Sequence, residues 1–237
     1  RFRRCESGWG LWLGRIGRVM GTDIHPRIEI IRNGEWVDVT DELDTEWDSK
    51  HWENPRPWDH LNARNYTLFS VLANVRNGYG FAGCDRGDPL SPISDNRGIP
   101  RDSPWVDGPD EHWHLGDHSY TWVSLCELLK HDWGVTRRVS GVVEESMYVE
   151  FRKDDTAPKS YCGGVHGQGI VTISTEGMDL VLSGEVPRDE SKRYHVRVGW
   201  DEPLLDSVKG FYERTIPWLA SLVDDPSHLR IVMGFDS

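Results

Sequence analysis

The chain has 237 residues, of which 37% are hydrophobic and 12 are tryptophan, and its formal net charge at pH 7 is −12. An acidic chain of this kind lacks the basic patch with which proteins follow a phosphate backbone, so non-specific nucleic-acid binding is disfavoured. The four cysteines form no Cys-x-x-Cys pair, and no apolar run approaches the roughly 20 residues that span a bilayer, so a reducing cytoplasm is the expected setting.

The first nineteen residues differ in composition from the rest of the chain. Residues 1–19 carry a charge of +4, which leaves −16 for the remainder. They do not begin with Met, their apolar run is too short for a signal peptide, and Met20 follows them. We therefore expect residues 1–19 to be a non-native extension or a disordered basic arm, and residues 20–237 to form a single domain around one shared core.

A β-hairpin is the first predicted element. Two β-rich runs flank Asn33 and Gly34, and Asn-Gly supplies the positive φ angles that a type I′ turn requires. The sequence therefore predicts strands at about 24–32 and 35–40.

A helix and a long loop follow the hairpin. Apolar residues recur at helical spacing within residues 64–78, where Asn65 is a suitable N-terminal cap and Gly78 a suitable end. Residues 77–119 contain seven glycines and five prolines. Structureless loops of this length are uncommon in compact domains, so we expect this loop to be ordered against the core.

The next predicted element is a helix at about 121–132, capped by Ser119 or Thr121. A turn is expected at Glu176 and Gly177, between the middle two of four stretches rich in β-forming residues. These four stretches are predicted as strands: 146–151, 169–174, 178–183 and 194–200.

The C-terminal part is predicted as a helix followed by a strand. The helix covers about 205–223 and should be kinked or divided at Pro217, and the buried closing strand covers 229–235. The whole pattern indicates the α+β class, with a mainly antiparallel sheet, about three helices and a long ordered loop rich in glycine and proline.

Two Asp/His pairs are the candidate catalytic or metal-binding residues. Alternation along the first strand places Asp23 and His25 on one face, where a carboxylate and an imidazole can form an acid-base pair or two metal ligands. Asp117 and His118 form the second pair. The structural alternatives are that Asp23 and His25 stabilise a strand end, and that Asp117 caps the following helix together with Ser119.

The second pair belongs to a row that also contains His112 and His114. Its order, His-x-His-x-x-Asp-His, has one residue more than the His-x-His-x-Asp-His line of metallo-β-lactamase-like hydrolases, which disfavours that class. A mononuclear site that uses two or three of the four side chains in this row stays open, and His25, Asp117 and His118 are the candidate metal ligands of the chain.

Three arginines, Arg64, Arg76 and Arg97, are candidate binding residues for an anion. In an acidic chain, pairing with carboxylates is the alternative. Neither a Gly-x-Ser-x-Gly elbow nor a P-loop lysine is present in the sequence.

From Met20 onward the chain resembles a family of small proteins, without an assigned activity, from tailed phages, prophages and actinobacterial genomes. The resemblance implies a start at Met20, an intracellular phage-type setting, and interest in Asp23, His25, Asp117 and His118. The stretches that carry it are "MGTDIH", "RNYTLFSVLANVRNGYGFAG", "RGIP", "DHSYTWVSLCELL" and "RIVMGFDS".

Three functions are compatible with these features. The favoured hypothesis is a non-enzymatic accessory protein that binds a host or phage protein, because the chain is acidic, rich in aromatics and without a nucleophile motif. The first alternative is a small hydrolase or nuclease-like enzyme whose two Asp/His pairs surround a single divalent metal as cofactor. The second is an acidic nucleic-acid mimic.

Overall fold

The computed structural model describes residues 21–43, 55–80, 84–106, 115–154 and 156–236. The expectations for residues 1–19, for His112 and His114, and for parts of the long loop lie outside the described residues. The α+β class is confirmed, with one antiparallel and one mixed sheet.

The strands are, in chain order, β1 Asp23–Arg32, β2 Glu35–Asp38, β3 His118–Ser124, β4 Thr136–Glu144, β5 Ile170–Ile173, β6 Arg193–Pro203 and β7 Leu229–Asp236. The helices are α1 Thr40–Leu43, α2 Pro57–Leu61, α3 Tyr66–Ala73, α4 Leu125–Lys130, α5 Glu145–Asp154, α6 Thr175–Ser183, α7 Leu204–Gly210 and α8 Ile216–Ala220. The prediction of about three helices is wrong. No helix in the described ranges is long and apolar enough to cross a membrane.

The first sheet has the strand order β2-β1-β7-β3 and is antiparallel throughout. The predicted hairpin is confirmed, with φ angles of 55° at Asn33 and 87° at Gly34. β7 lies between two neighbours, and its residues Leu229 to Phe235 are all buried, as predicted for the closing strand. The closing strand is therefore held in the middle of the sheet.

Helices α3, α4, α7 and α8 pack with the first sheet and form the first hydrophobic cluster, which includes Phe69, Leu125 and Phe235. Asn65 caps α3 as predicted, because its side chain accepts a hydrogen bond from the Leu68 N–H at 3.1 Å. The helix ends at Asn74, whose φ of 58° is left-handed, and not at Gly78 as predicted.

The second sheet has the order β4-β6-β5, in which β6 is antiparallel to β4 and parallel to β5. Together with α5 and α6 it forms a second hydrophobic cluster, which includes Tyr148, Met178 and Trp200. The described residues thus form two hydrophobic clusters, in contrast to the single shared core that we expected. β4 was not predicted, whereas the strands at 169–174 and 194–200 are confirmed.

The predicted helix at 121–132 is wrong over its first residues, which belong to β3. Thr121 and Val123 are buried and their neighbours are not, which is the two-residue period of a strand. The helix begins at Leu125, and its cap is Ser124, whose hydroxyl accepts a hydrogen bond from the Glu127 N–H at 3.2 Å. Neither Ser119, Thr121 nor Asp117 caps this helix.

The predicted strands at 146–151 and 178–183 are helices, α5 and α6. Met178, Val181 and Leu182 all contact the second cluster, and their spacing of three and four residues is that of one helical face. Glu176 and Gly177 lie in the first turn of α6 and not in a turn between strands. A short apolar run is compatible with both a helix and a strand, and its tertiary packing determines which of the two forms.

The C-terminal helix is divided as predicted. α7 passes through a π-helical turn, Phe211–Thr215, into α8, where Pro217 lies in the first turn. Proline has no N–H to donate, so Pro217 removes one helical hydrogen bond at this junction.

Candidate functional site

Asp23 and His25 lie where β1 pairs with the end of β7, and both contact Asp236. The His25 Nε2 atom is 3.0 Å from Asp236 Oδ2, and the Asp23 N–H donates to Asp236 Oδ1 at 3.2 Å. The two side chains share one face because Asp23 is opposite Asp236 and His25 is opposite Gly234. Gly116 lies against this pair, since a Cβ atom there would be 3.0 Å from His25 Cδ2.

Asp23 also forms a bidentate ion pair with Arg64, whose Nε and Nη2 atoms are 2.6 and 2.5 Å from the two carboxylate oxygens. The hydrogen bond and charge of Arg64 lower the pKa of Asp23, against a smaller opposing effect of burial. The carboxylate is therefore held in its charged form by a neighbour on the segment between α2 and α3.

Asp117 and His118 lie at the start of β3, on the other side of β7. The Asp117 N–H donates to the Phe235 carbonyl at 2.7 Å, and the His118 ring stacks on Phe235 with centroids 6.3 Å apart. His118 is opposite Phe235, whereas His25 is opposite Gly234, the next residue along β7. Adjacent rows of a sheet point to opposite faces, so the two histidines do so as well.

The described residues contain no group of three or more His, Cys, Asp or Glu side chains that could hold a metal ion. Asp23, His25, Asp117 and His118 thus approach the same end of β7 without forming one coordination sphere.

The three candidate arginines are each engaged with protein groups. Arg64 pairs with Asp23, and Arg97 pairs with Glu127 at 2.8 Å. Arg76 Nε donates to the Thr22 hydroxyl at 2.8 Å, and its guanidinium lies 5.7 Å from the centre of the Tyr66 ring. Two of the three therefore form the carboxylate pairs that the acidic composition suggested as the alternative.

A cavity of about 590 Å³ lies where α3 faces β4, and we call it the interlayer cleft. Its floor includes Arg137 of β4, and its rim includes Tyr79 and Arg86 from the long loop. The cleft is lined by Tyr66, Thr67, Ser70, Tyr79, Gly80, Cys84, Arg86, Arg137, Cys162, Gly163 and Gly164. These residues are distant in sequence and meet only through the tertiary fold.

Gly87 attaches the long loop to the edge of β4 beside this cleft. Gly87 forms a bridge with Val139, and the Ser140 N–H donates to the Arg86 carbonyl at 3.0 Å. The φ of Gly87 is +111°, and a Cβ atom there would lie 2.2 Å from the Arg138 carbonyl oxygen. Only glycine fits this position, so it determines where Arg86 stands.

Arg137 is the most buried charged residue of the cleft, with a side chain 6% exposed. Its Nη2 atom donates to Thr67 Oγ1 at 2.8 Å and to Glu202 Oε1 at 3.2 Å. Its Nε atom is buried and has no hydrogen-bond partner in the described part of the chain. Glu202 is also 3.9 Å from Arg86 Nη2, so two arginines share one carboxylate.

Comparison of the chain with protein-family models, with curated proteins and with solved structures finds no match.

The candidate residues near the end of β7 were predicted from the sequence with the exception of Asp236, whereas the charged residues of the cleft, Arg86 and Arg137, were not predicted. Asp236 lies in the "FDS" ending, where no motif marks it. Arg86 and Arg137 stand in "CDRGDP" and "VTRRVS", which carry no spacing signal. The unpredicted strand β4 is the reason that Arg137 was missed.

Proposed function

We propose that the protein is a non-enzymatic accessory module that binds another protein, and that the mouth of the interlayer cleft is its contact surface. The observation that carries the proposal is a pair of exposed tyrosines at this mouth. Tyr79 is 55% exposed and lines the cleft, and Tyr161 is 39% exposed and stacks on Arg86 with the guanidinium 4.7 Å from the ring centre. Tyrosine and arginine are enriched in the binding hot spots of interfaces.

A cytoplasmic host or phage protein as the partner is part of this proposal. It is supported by the acidic charge and the resemblance described above. The rim has a rigid base, because the Tyr161 ring packs on Trp200 of the second cluster with centroids 4.8 Å apart. A rigid aromatic contact loses little conformational entropy on binding, which favours affinity.

The proposal is tested by placing a photo-crosslinking amino acid at position 79 of this protein and expressing the protein in the cells in which it naturally occurs. We expect a discrete crosslinked protein from position 79 and none from position 212, where Tyr212 is 41% exposed and its ring lies 6.0 Å from that of Trp133. The captured protein is then purified and titrated against the wild type and Tyr79→Ala. A loss of affinity of about tenfold or more is expected, as for a hot-spot residue.

The same crosslink at positions 79 and 212, or equal affinity of the captured protein for wild type and Tyr79→Ala, contradicts the proposed contact surface. Absence of any discrete product at either position contradicts the protein-binding function itself.

A small hydrolase is the second candidate, and the 3.0 Å contact between His25 and Asp236 favours it. In this function Asp236 orients the imidazole and His25 acts as general base. Assays of the purified protein with ester and phosphodiester probes test this candidate, and any hydrolysis should be lost in His25→Ala and reduced in Asp236→Asn. Protein that hydrolyses neither probe contradicts this candidate.

A further inference from the structure

We infer that the interior of the interlayer cleft binds a small molecule through a phosphate or carboxylate group. This goes beyond the protein-binding function, because the site needs no partner protein. The cleft volume of about 590 Å³ is within the range of roughly 300–1,000 Å³ that small-molecule sites occupy. Guanidinium groups match the geometry of both oxyanions, which is why arginine recognises them.

The charge of the cleft supports this inference. Its described lining contains Arg86 and Arg137 and neither aspartate nor glutamate, within a chain of net charge −12. Glu202 approaches both arginines, and its Oε1 atom also accepts a hydrogen bond from the Ser207 hydroxyl at 2.7 Å. One carboxylate balances only one guanidinium, so the pair retains an excess positive charge.

Arg137 contributes its charge to the cleft. Its Nε atom is buried without a partner among the described residues, and it is closed off from the open space of the cleft as well. A ligand in the cleft therefore meets the positive charge of the Arg137 guanidinium, for which Glu202 is the one paired carboxylate among the described residues and is shared with Arg86.

Hydroxyl groups complete the site. Thr67 Oγ1 accepts from Arg137, which leaves its own proton to donate to a ligand. Tyr66 also lines the cleft. Its hydroxyl oxygen accepts a hydrogen bond from the Thr22 N–H at 3.3 Å, so the hydroxyl proton of Tyr66 is likewise available to donate to a ligand. Both residues lie on α3, so helix and strand present donors to one space.

A second cavity of about 480 Å³ also contacts Arg137 and competes for the same inference. Its lining contains Arg138 and His131, whose Nε2 atom is buried without a described partner, but also Asp88 and Asp132. The two carboxylates offset the charges of the two arginines, so the interlayer cleft is the better site for an anion. Arg86 lines only the first of the two cavities, which lets one variant distinguish them.

The experiment is calorimetric titration of the purified protein with inorganic phosphate and with citrate, at constant ionic strength. Arg137 is buried and joins β4 to α3, so its replacement also destabilises the fold. We therefore use Arg86→Gln, since that side chain is 21% exposed. The matched control is Arg32→Gln, which removes one positive charge from β1 in the other sheet.

We expect saturable binding of at least one of the two anions. Arg86→Gln should weaken it about tenfold, the effect of one charge-assisted hydrogen bond, while Arg86→Lys weakens it less and Arg32→Gln changes it less than twofold. The anion that binds with the higher affinity, phosphate or citrate, identifies the ligand group as phosphate or carboxylate.

Three results overturn the inference: no saturable binding of either anion, equal losses in Arg86→Gln and Arg32→Gln, or a loss in His131→Ala with Arg86→Gln unaffected. The test is separate from that of the proposed function. Anion binding without a crosslinked partner at position 79 removes only the protein-binding proposal, and a crosslinked partner without anion binding removes only the inference.

Discussion

At the scale of single residues, Asp236 is the group on which the end of the first sheet depends. It contacts His25 through one carboxylate oxygen and the Asp23 backbone through the other. Asp23 in turn pairs with Arg64, so three segments of the chain meet through two carboxylates. Alternation along β1 predicted that Asp23 and His25 share a face, but nothing in the sequence indicated their partners.

Replacement of Asp23 by Asn should give a pH-dependent loss of stability. Arg64 lowers the folded-state pKa of Asp23, so the stabilisation is present above the unfolded value of roughly 4 and is lost as pH falls through the folded pKa. Urea unfolding should show wild type more stable at pH 7, by about 1 kcal/mol or less for an exposed pair, and equal to Asp23→Asn near pH 2. A difference in the free energy of unfolding between wild type and Asp23→Asn that stays constant from pH 7 to about pH 2 contradicts a stabilising ion pair between Asp23 and Arg64.

A buried ion pair on the outer face of β1 gives a second prediction. Arg230 Nε donates to Glu29 at 2.7 Å, and both side chains are almost fully buried. Burial raises the pKa of Glu29, against hydrogen bonds from Ser103 and Arg230 that lower it. Glu29→Leu should cost about 1–3 kcal/mol in chemical denaturation, because the buried Arg230 Nε loses its acceptor while Arg230 Nη1 keeps its 2.8 Å pair with Asp102.

The double variant Glu29→Leu with Arg230→Met is the control for that prediction. It removes both charges, so it should be more stable than Glu29→Leu alone. A double variant that loses the sum of both single effects would show that the two residues act independently.

At the scale of elements, capping and turn residues were readable from the sequence, whereas short apolar runs were not. Asn65 caps α3 as predicted, because capping is a contact between residues three apart. The run at 146–151 was assigned to a strand and is α5, whose Met147 and Phe151 contact the second cluster. Whether this run forms a helix or a strand depends on the sheet against which it packs, whose strands include residues distant in sequence.

Gly87→Ala should dislodge the loop that carries Arg86. The added Cβ would clash with the backbone of β4, in addition to the strain of a positive φ. Gly98→Ala is the matched control, since Gly98 also has a positive φ but no atom within 4 Å of an added Cβ. We expect Gly87→Ala to lose about 1–3 kcal/mol more than Gly98→Ala in urea unfolding, the cost of overpacking.

The same two variants also separate stability from binding. Gly87→Ala should weaken phosphate or citrate binding in the folded protein, and Gly98→Ala should not. Equal stability of the two variants would mean that the loop adapts without strain.

At the scale of the whole molecule, the buried apolar residues of the described ranges form two clusters, and Arg137 is one link between them. Its guanidinium joins β4 of the second sheet to Thr67 on α3, which packs in the first cluster. A further link is the hydrogen bond from the Leu204 N–H to the Val135 carbonyl, 2.9 Å long. The expectation of a single domain over residues 20–237 stays a prediction, as does the nucleic-acid mimic suggested by charge.

Hydrogen exchange under native conditions measures whether the two clusters unfold together. In a single cooperative domain, the slowest amides of β6 and β7 open with the same free energy, and added urea reduces both equally. We expect this result because the links between the clusters are buried. A distinctly lower opening free energy for β6 would indicate two separately unfolding domains.

The sequence by itself determined the features that depend on a few neighbouring residues. These are the Asn33 turn, the Asn65 cap, the division of the C-terminal helix near Pro217 and the buried run of β7, each fixed by backbone conformation or by local hydrophobicity. Only the tertiary structure decided that 178–183 is helical. Strand pairing also brought His25 to Asp236 and Arg86 close to Arg137, because side chains far apart in sequence meet only through long-range packing.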